Sequence, residues 1–170
     1  STRILELMNR TYSADQFLAG VDMIKKLLPE ATLSTDIIVA FPGETEQDYQ
    51  ETRDVVEKVR FDMVYSFVYS PRKYTKAAEM KNDIPETIKT QRLMDLQERA
   101  RNISREQHEK LVGRPMRVLV EGLRLPSGQL WAKTAGNVRV RFGGDDSLIG
   151  QFTDVKILSA QCAYVEAELV

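Results

Sequence analysis

The chain has 170 residues, a net charge of −1, one cysteine and one histidine. That length admits one ordinary domain or two small ones. The near-neutral charge gives no whole-chain signal for a nucleic-acid partner, and no apolar run approaches the roughly 18 residues needed to span a bilayer. A single cysteine excludes an internal disulfide, which fits a reducing cytosol. It also excludes an iron–sulfur cluster held by this chain alone, because such clusters take several thiolates. Cys162 reads as an inert, strand-borne residue, and His108, on a highly charged helix, as a solvated one.

Ile4, Leu5, Leu7 and Met8 predict a short helix ending near Asn9–Arg10. Ser13 is placed to cap a second helix, in which Phe17, Val21, Ile24 and Leu28 fall on one face, with Pro29 as the stop. ATLSTDIIVAF is β-branched and nearly uncharged, the pattern of a strand buried on both faces. FPGET is a turn, and Thr45 caps the helix carrying Tyr49, Thr52, Val56 and Val59 on one side. MVYSFVYS is a second strand and SPRKYTKAAEM a loop. Helix–strand alternation with short links implies parallel strands covered by helices. Two strands do not make a stable parallel sheet alone, so residues up to about 83 are expected to be the end of a larger α/β sheet or barrel.

From Pro85 to Val112 a long helix is predicted, with Leu93, Leu96, Ala100, Ile103 and Leu111 as its apolar stripe and Gly113 and Pro115 as its end. The pattern then changes. MRVLVEGL, QLWAKT, NVRVRF, FTDVKIL and YVEAELV are five strand-like runs separated by PSG, AGN, GGDDS and SAQ. Short strands at regular spacing predict a five-stranded barrel. The domain division is expected at 112/113.

Several residues carry possible chemistry. Asp36 is a carboxylate in an oily strand, costly to bury unless paired. Alternation puts Ser34, Asp36 and Ile38 on one face. Asp36 either accepts hydrogen bonds from a ligand hydroxyl, such as a ribose diol, or sits at the strand edge and caps a neighbour; the residues alone leave both open. The turn at Pro42–Glu44 follows at the C-terminal end of that strand, where parallel sheets bind ligands. Arg10 reads either as a clamp for a carboxylate or as a solvated arginine favouring the helix dipole, the latter on residues alone. Val138, Val140 and Phe142 are expected in the barrel core, so Arg139 and Arg141 should point outward together. With Arg114, Arg117, Arg124, Lys133 and Lys156 they would form a basic surface, and Trp131 and Tyr164 are aromatics able to stack bases. Asp145, Asp146, Asp154, Glu121, Glu166 and Glu168 nearly cancel that charge, and Trp131 also suits a core position.

STDIIVAFPGET, with RILELMNRTYS before it and FDMVYSFVYSPR after it, resembles the methylthiotransferase family of radical-SAM (S-adenosylmethionine) enzymes. RPMRVLVEGL onward resembles that family's C-terminal TRAM domain. The resemblance covers essentially the whole chain. It implies the C-terminal part of a partial TIM-like radical-SAM barrel followed by a small all-β TRAM barrel. It further implies an enzyme that adds a methylthio group to carbon 2 of N6-isopentenyladenosine 37 in tRNA. The family's ribosomal-protein modifiers are a less close match, since their acidic pair in the YSPR loop is absent. A non-catalytic RNA-binding module is the rival reading for the chain as it stands.

The family holds two [4Fe–4S] clusters, whose cysteine ligands have no counterparts here; no catalytic or metal-ligating residue is expected in this chain. Carried over by motif, Arg10 would bind the SAM carboxylate, Asp36 the SAM ribose, and Phe41 and Pro42 would lie near the adenine. Arg139, Arg141, Lys133 and Arg117 would grip the tRNA anticodon stem-loop. The full-length enzyme is expected to be a cytoplasmic monomer. Two departures stand out. Ala40 occupies a position where glycine is usual, and Lys73-Tyr74-Thr75-Lys76 replaces Pro-Gly-Thr-Pro.

Overall fold

The computed structural model describes residues 1–124 and 127–170, with Arg124 described by its backbone alone. Part of the predicted PSG turn, Pro126, and the Arg124 side chain therefore lie outside the described residues. The chain forms two compact units, Ser1–Ala100 and Arg101–Val170.

In the first unit, α1 (Thr2–Leu7) and α2 (Ala14–Leu27) precede β1 (Ser34–Val39), α3 (Glu46–Val59) and β2 (Met63–Val68). Ser13 caps α2 in a reciprocal box with Gln16, and Thr45 does the same for α3 with Asp48. Each box satisfies N–H groups that a helix start otherwise leaves unpaired. β1 and β2 pair in parallel, as the helix–strand alternation predicts. Tyr49, Val56 and Val59 are buried together with Val39, Ala40, Phe41 and Phe61.

Three expectations are corrected here. β1 is not buried on both faces: its exposure alternates, and only Val39 is fully buried. Among the described residues nothing covers its second side. The apolar face of α2 is likewise only partly used; Val21 is buried, but Ile24 and Leu28 are exposed. The segment read as a loop after β2 contains a single helical turn, α4 (Lys76–Glu79).

The turn after β1 is braced from several sides. Ala40 adopts φ +59°, a left-handed conformation for a residue with a Cβ, at a cost of about 1 kcal/mol relative to glycine. Its N–H donates to Glu44 Oε1 at 2.9 Å, and its carbonyl accepts from Asn82 Nδ2 at 3.1 Å. These bonds hold the backbone in a conformation that a glycine would adopt freely.

Helix α5 (Glu86–Glu109) follows. Its predicted stripe is real at Leu96 and Ile103, but Arg92, Ser104 and His108 are buried in the same helix. In the first unit Arg92 donates to Glu44 Oε1 at 2.7 Å and to Glu46 at 3.1 Å. Tyr49 Oη lies 2.7 Å from Asp95 Oδ2 and 2.8 Å from the Arg92 carbonyl, so its one proton ties α3 to α5.

The second unit is a closed barrel in the order β3-β4-β5-β7-β6. The strands are β3 (Pro115–Arg124), β4 (Gln129–Thr134), β5 (Arg139–Phe142), β6 (Phe152–Ala160) and β7 (Val165–Leu169), and each coincides with one of the five predicted runs. Closure leaves no strand edge to pair with another chain. Val118, Val120, Leu130, Ala132, Val140, Phe142, Val155, Ile157 and Val165 fill the interior. The register of β3 on β4 shifts between Val120 and Gly122. The bulge leaves Glu121 outside, where its carboxylate pairs with Lys133 at 3.1 Å.

Candidate cofactor and nucleic-acid sites

Directly paired residues of a parallel ladder share a face. The register Asp36–Tyr65 and Ile38–Phe67 therefore sets these four side chains on the uncovered side of the β1–β2 sheet. Ile38 is 43%, Tyr65 45% and Phe67 54% exposed. Asp36 is exposed too, and neither it nor Tyr65 has a side-chain partner among the described residues. The capping alternative for Asp36 thus finds no partner here. Arg10 is exposed just after α1, also without a side-chain partner among the described residues. Phe41 and Pro42 differ: both are buried, and Phe41 meets Tyr69 edge-on at 5.1 Å between ring centres. Their side chains are committed to packing, so a ligand at this turn would meet backbone and the exposed Gly43 instead.

The buried carboxylates around this turn are structural. Burial pushes Glu44 above the usual carboxylate range despite Arg92. Burial would also raise Asp48, but hydrogen bonds from Arg3, Thr45 and Ser1 outweigh it and hold Asp48 well below that range.

On the barrel, β4 and β5 pair Trp131 with Arg141 and Lys133 with Arg139. Arg139 is exposed, its guanidinium 5.8 Å from the centre of the Trp131 indole. Trp131 is half-buried on the outer surface rather than in the core, and lies 6.4 Å from Tyr164. Arg141 lies on the same outer face as Arg139, opposite Trp131, but unlike Arg139 it is covered. It is only 9% exposed, packed 3.4 Å from the centre of the Tyr164 ring with Glu166 at 3.5 Å. Arg117 is exposed but belongs to a different group, 5.3 Å from the Phe152 ring and opposite Asp154. The basic residues are thus distributed around the barrel, with the densest aromatic–cation set on β4, β5 and the turn before β7.

That turn has a support that sequence reasoning missed. His108 is buried, not solvated; its Nδ1 donates to the Gln161 carbonyl at 2.7 Å. Ser104 Oγ donates to the Cys162 carbonyl at 3.0 Å, and Gln161 N–H closes onto the Tyr164 carbonyl at 2.9 Å. Cys162 therefore lies in the β6–β7 turn rather than on a strand. The spacing of Ser104 and His108, one turn apart and in phase with Leu111, was the available signal.

Residues 109–170 match the TRAM domain family. Over its whole length the chain is 43% identical to the tRNA-2-methylthio-N(6)-dimethylallyladenosine synthase of Acetivibrio thermocellus, covering 36% of that protein. The synthase of the same name from Bdellovibrio bacteriovorus is 41% identical, again over all of this chain and 38% of the relative. The chain is therefore similar to tRNA methylthiotransferases. It corresponds to the C-terminal part of those enzymes and spans little more than a third of their length. The TRAM match begins next to His108, so the helix end that braces the Tyr164 turn adjoins the matched domain.

Proposed function

We propose that this chain is the part of a tRNA-modifying methylthiotransferase that positions SAM and grips RNA. The complete enzyme would place a methylthio group on carbon 2 of N6-dimethylallyladenosine 37 in tRNA. The observation carrying this reading is the alignment of the entire chain, at about 40% identity, with enzymes named for that product. A cytoplasmic location and a monomeric full-length enzyme belong to the same proposal. No helix among the described residues is long and apolar enough to cross a membrane.

The iron–sulfur clusters do not fit this chain. It has one cysteine, and no cluster of metal-ligating side chains occurs among the described residues. No catalytic step is assigned to its residues; what they supply is binding and orientation. SAM fits better, because Asp36 offers an open carboxylate on a sheet face and Arg10 an open guanidinium. In this proposal Asp36 accepts hydrogen bonds from the ribose hydroxyls, Arg10 pairs with the methionine carboxylate, and backbone at Phe41–Pro42 borders the adenine. SAM supplies the methyl group and the radical chemistry. Residues 1–112 form the SAM-side portion and 113–170 the RNA-side barrel, where Arg139, Lys133, Arg117 and the stacked Arg141 meet the anticodon stem-loop.

The enzymatic reading is tested by nucleoside analysis of tRNA from cells lacking the full gene. Disappearance of 2-methylthioadenosines is expected; their persistence overturns it. The cofactor reading is tested by calorimetry on the full-length protein. Asp36→Ala should weaken SAM binding while both clusters assemble, and unchanged affinity refutes the ribose role.

A further inference from the structure

The bulge in β3 opens a cleft in the wall of the closed barrel. The register shift sets Gly122 directly opposite Trp131 on β4. An aromatic side chain opposite a strand glycine often folds over the bare backbone. Trp131 does not: a Cβ built on Gly122 would meet none of the described residues within 4 Å. The indole sits instead toward Arg139 and Tyr164, 5.8 Å from the guanidinium and 6.4 Å from the phenol ring. Gly122 does not lie in the left-handed region, so its backbone alone does not require glycine. Glycine inside a strand also marks places where a ligand approaches closely. The resulting cleft measures about 360 Å³ and is lined by Glu121, Gly122, Leu123 and Trp131. That is the small end of the range for ligand sites, about 300–1,000 Å³.

The lining limits what fits. The indole is an aromatic wall, and Leu123, 40% exposed, an apolar one. The Glu121 carboxylate, paired with Lys133 at 3.1 Å, is a hydrogen-bond acceptor at the rim. Lys133 and its cross-strand neighbour Arg139 add two cations on the same outer face. A purely apolar side chain would strip water from the Glu121–Lys133 pair and replace none of its contacts. A small anion would be repelled by Glu121 and gain nothing from the ring. An unpaired nucleobase satisfies all of these groups: it has a π face to stack, amino hydrogens for a carboxylate, and a phosphate for the cations.

Resting on the RNA-gripping role proposed above, we propose that this cleft is a pocket for one unpaired base of the RNA. Trp131 stacks on the base, and Glu121 selects bases that carry an exocyclic amino group. A glutamate accepts from the N4 amino group of cytosine, whereas uracil presents a carbonyl oxygen at the corresponding position. Gly122 supplies the room.

Trp131 is the only tryptophan of the chain, so its fluorescence reports on the cleft directly. The 170-residue chain is titrated with a cytidine hexanucleotide, a uridine hexanucleotide and an abasic hexamer of equal charge. The cytidine hexamer should quench Trp131 and bind about fivefold or more tighter than the abasic one. It should also bind about threefold or more tighter than the uridine hexamer, and Glu121→Gln should bring the two pyrimidines within about twofold. Gly122→Val puts a side chain into the cleft and should abolish both the quenching and the cytidine preference. Its urea stability should match or exceed wild type, because valine suits a strand. Quenching or preference that persists in Gly122→Val overturns the pocket, as does binding of the cytidine hexamer with no change in fluorescence. A Gly122→Val variant that unfolds more readily shows the cleft to be filled by the chain itself, which overturns the pocket too. In each of these cases RNA binding stands, and the proposed function with it; a wild-type chain that binds none of the oligomers overturns both.

Discussion

Arg141 and Tyr164 form a stack across the barrel surface, the guanidinium carbon 3.4 Å from the ring centre, with Glu166 closing one side at 3.5 Å. Arg139, two residues earlier on the same strand, is exposed and only loosely set over Trp131 at 5.8 Å. The two arginines therefore do different jobs. One braces an aromatic ring; the other offers its charge to solvent or phosphate.

Arg139→Ala should leave stability within about 0.5 kcal/mol of wild type. It should weaken RNA binding by about 1 kcal/mol and reduce the salt slope by about one. Arg141→Ala should also lower stability by about 1–2 kcal/mol, because it removes a partly desolvated cation–π contact. Urea unfolding and RNA titration at several salt concentrations separate the two. Equal stability loss in both variants contradicts this division.

Arg92 and Glu44 set a second test. Both are buried, and Glu44 Oε1 also accepts the N–H of the strained Ala40. Arg92→Met should cost about 3–5 kcal/mol, because it strands a buried carboxylate. Adding Glu44→Gln should recover much of that loss: the amide oxygen still accepts from Ala40 and no uncompensated charge remains. Denaturant melts of the single and double variants measure the coupling, and simple additivity rules out the pair as the cause.

His108 bears on both halves of the barrel's behaviour. His108→Ala leaves the Gln161 carbonyl without its donor and opens a gap beneath the turn that presents Tyr164. A loss of about 1–3 kcal/mol is expected, together with weaker RNA binding. His108→Asn, which retains an N–H near the Nδ1 position, should recover part of both. Recovery of neither shows that ring packing matters more than the hydrogen bond.

The fold was legible wherever side-chain period and burial agree. The five barrel strands, both capped helices and the parallel pair follow from alternation, from Ser13 and Thr45, and from the order of elements. The misses share a cause: the sequence pattern treats polarity as exposure. His108, Arg92 and Arg141 are polar and buried because each has a partner distant in sequence, Gln161, Glu44 and Tyr164 respectively. The opposite error occurred at β1, where an oily run implied burial on both faces, although one face carries Asp36 in the open. Asp36 and Arg10 were visible as candidates from residue type and motif. Their lack of side-chain partners among the described residues, which leaves them open to a ligand, is a property of the folded chain alone.

The acid response of the first unit follows from Asp48. It accepts from Ser1 Oγ at 2.7 Å, from Thr45 N–H at 2.8 Å and from the Arg3 guanidinium. These bonds hold its carboxyl below the ordinary value of 3.8 in the folded state, and Asp95 is lowered in the same direction. In the unfolded chain both carboxylates take up protons near that ordinary value. Between the unfolded and folded values the unfolded state binds more protons, so stability falls as pH falls through this window. Glu44 acts oppositely: its raised folded value makes the folded state take the proton first, so acidification from neutrality relieves its buried charge. Unfolding free energy should therefore hold or rise slightly as pH approaches about 4.5 from above, then decline steadily below about 4. Asp48→Asn should lose about 1 kcal/mol at neutral pH with its capping contacts and show a shallower decline in acid. Urea unfolding at stepped pH measures both slopes, and an equally steep acid decline in the variant assigns the response to other groups.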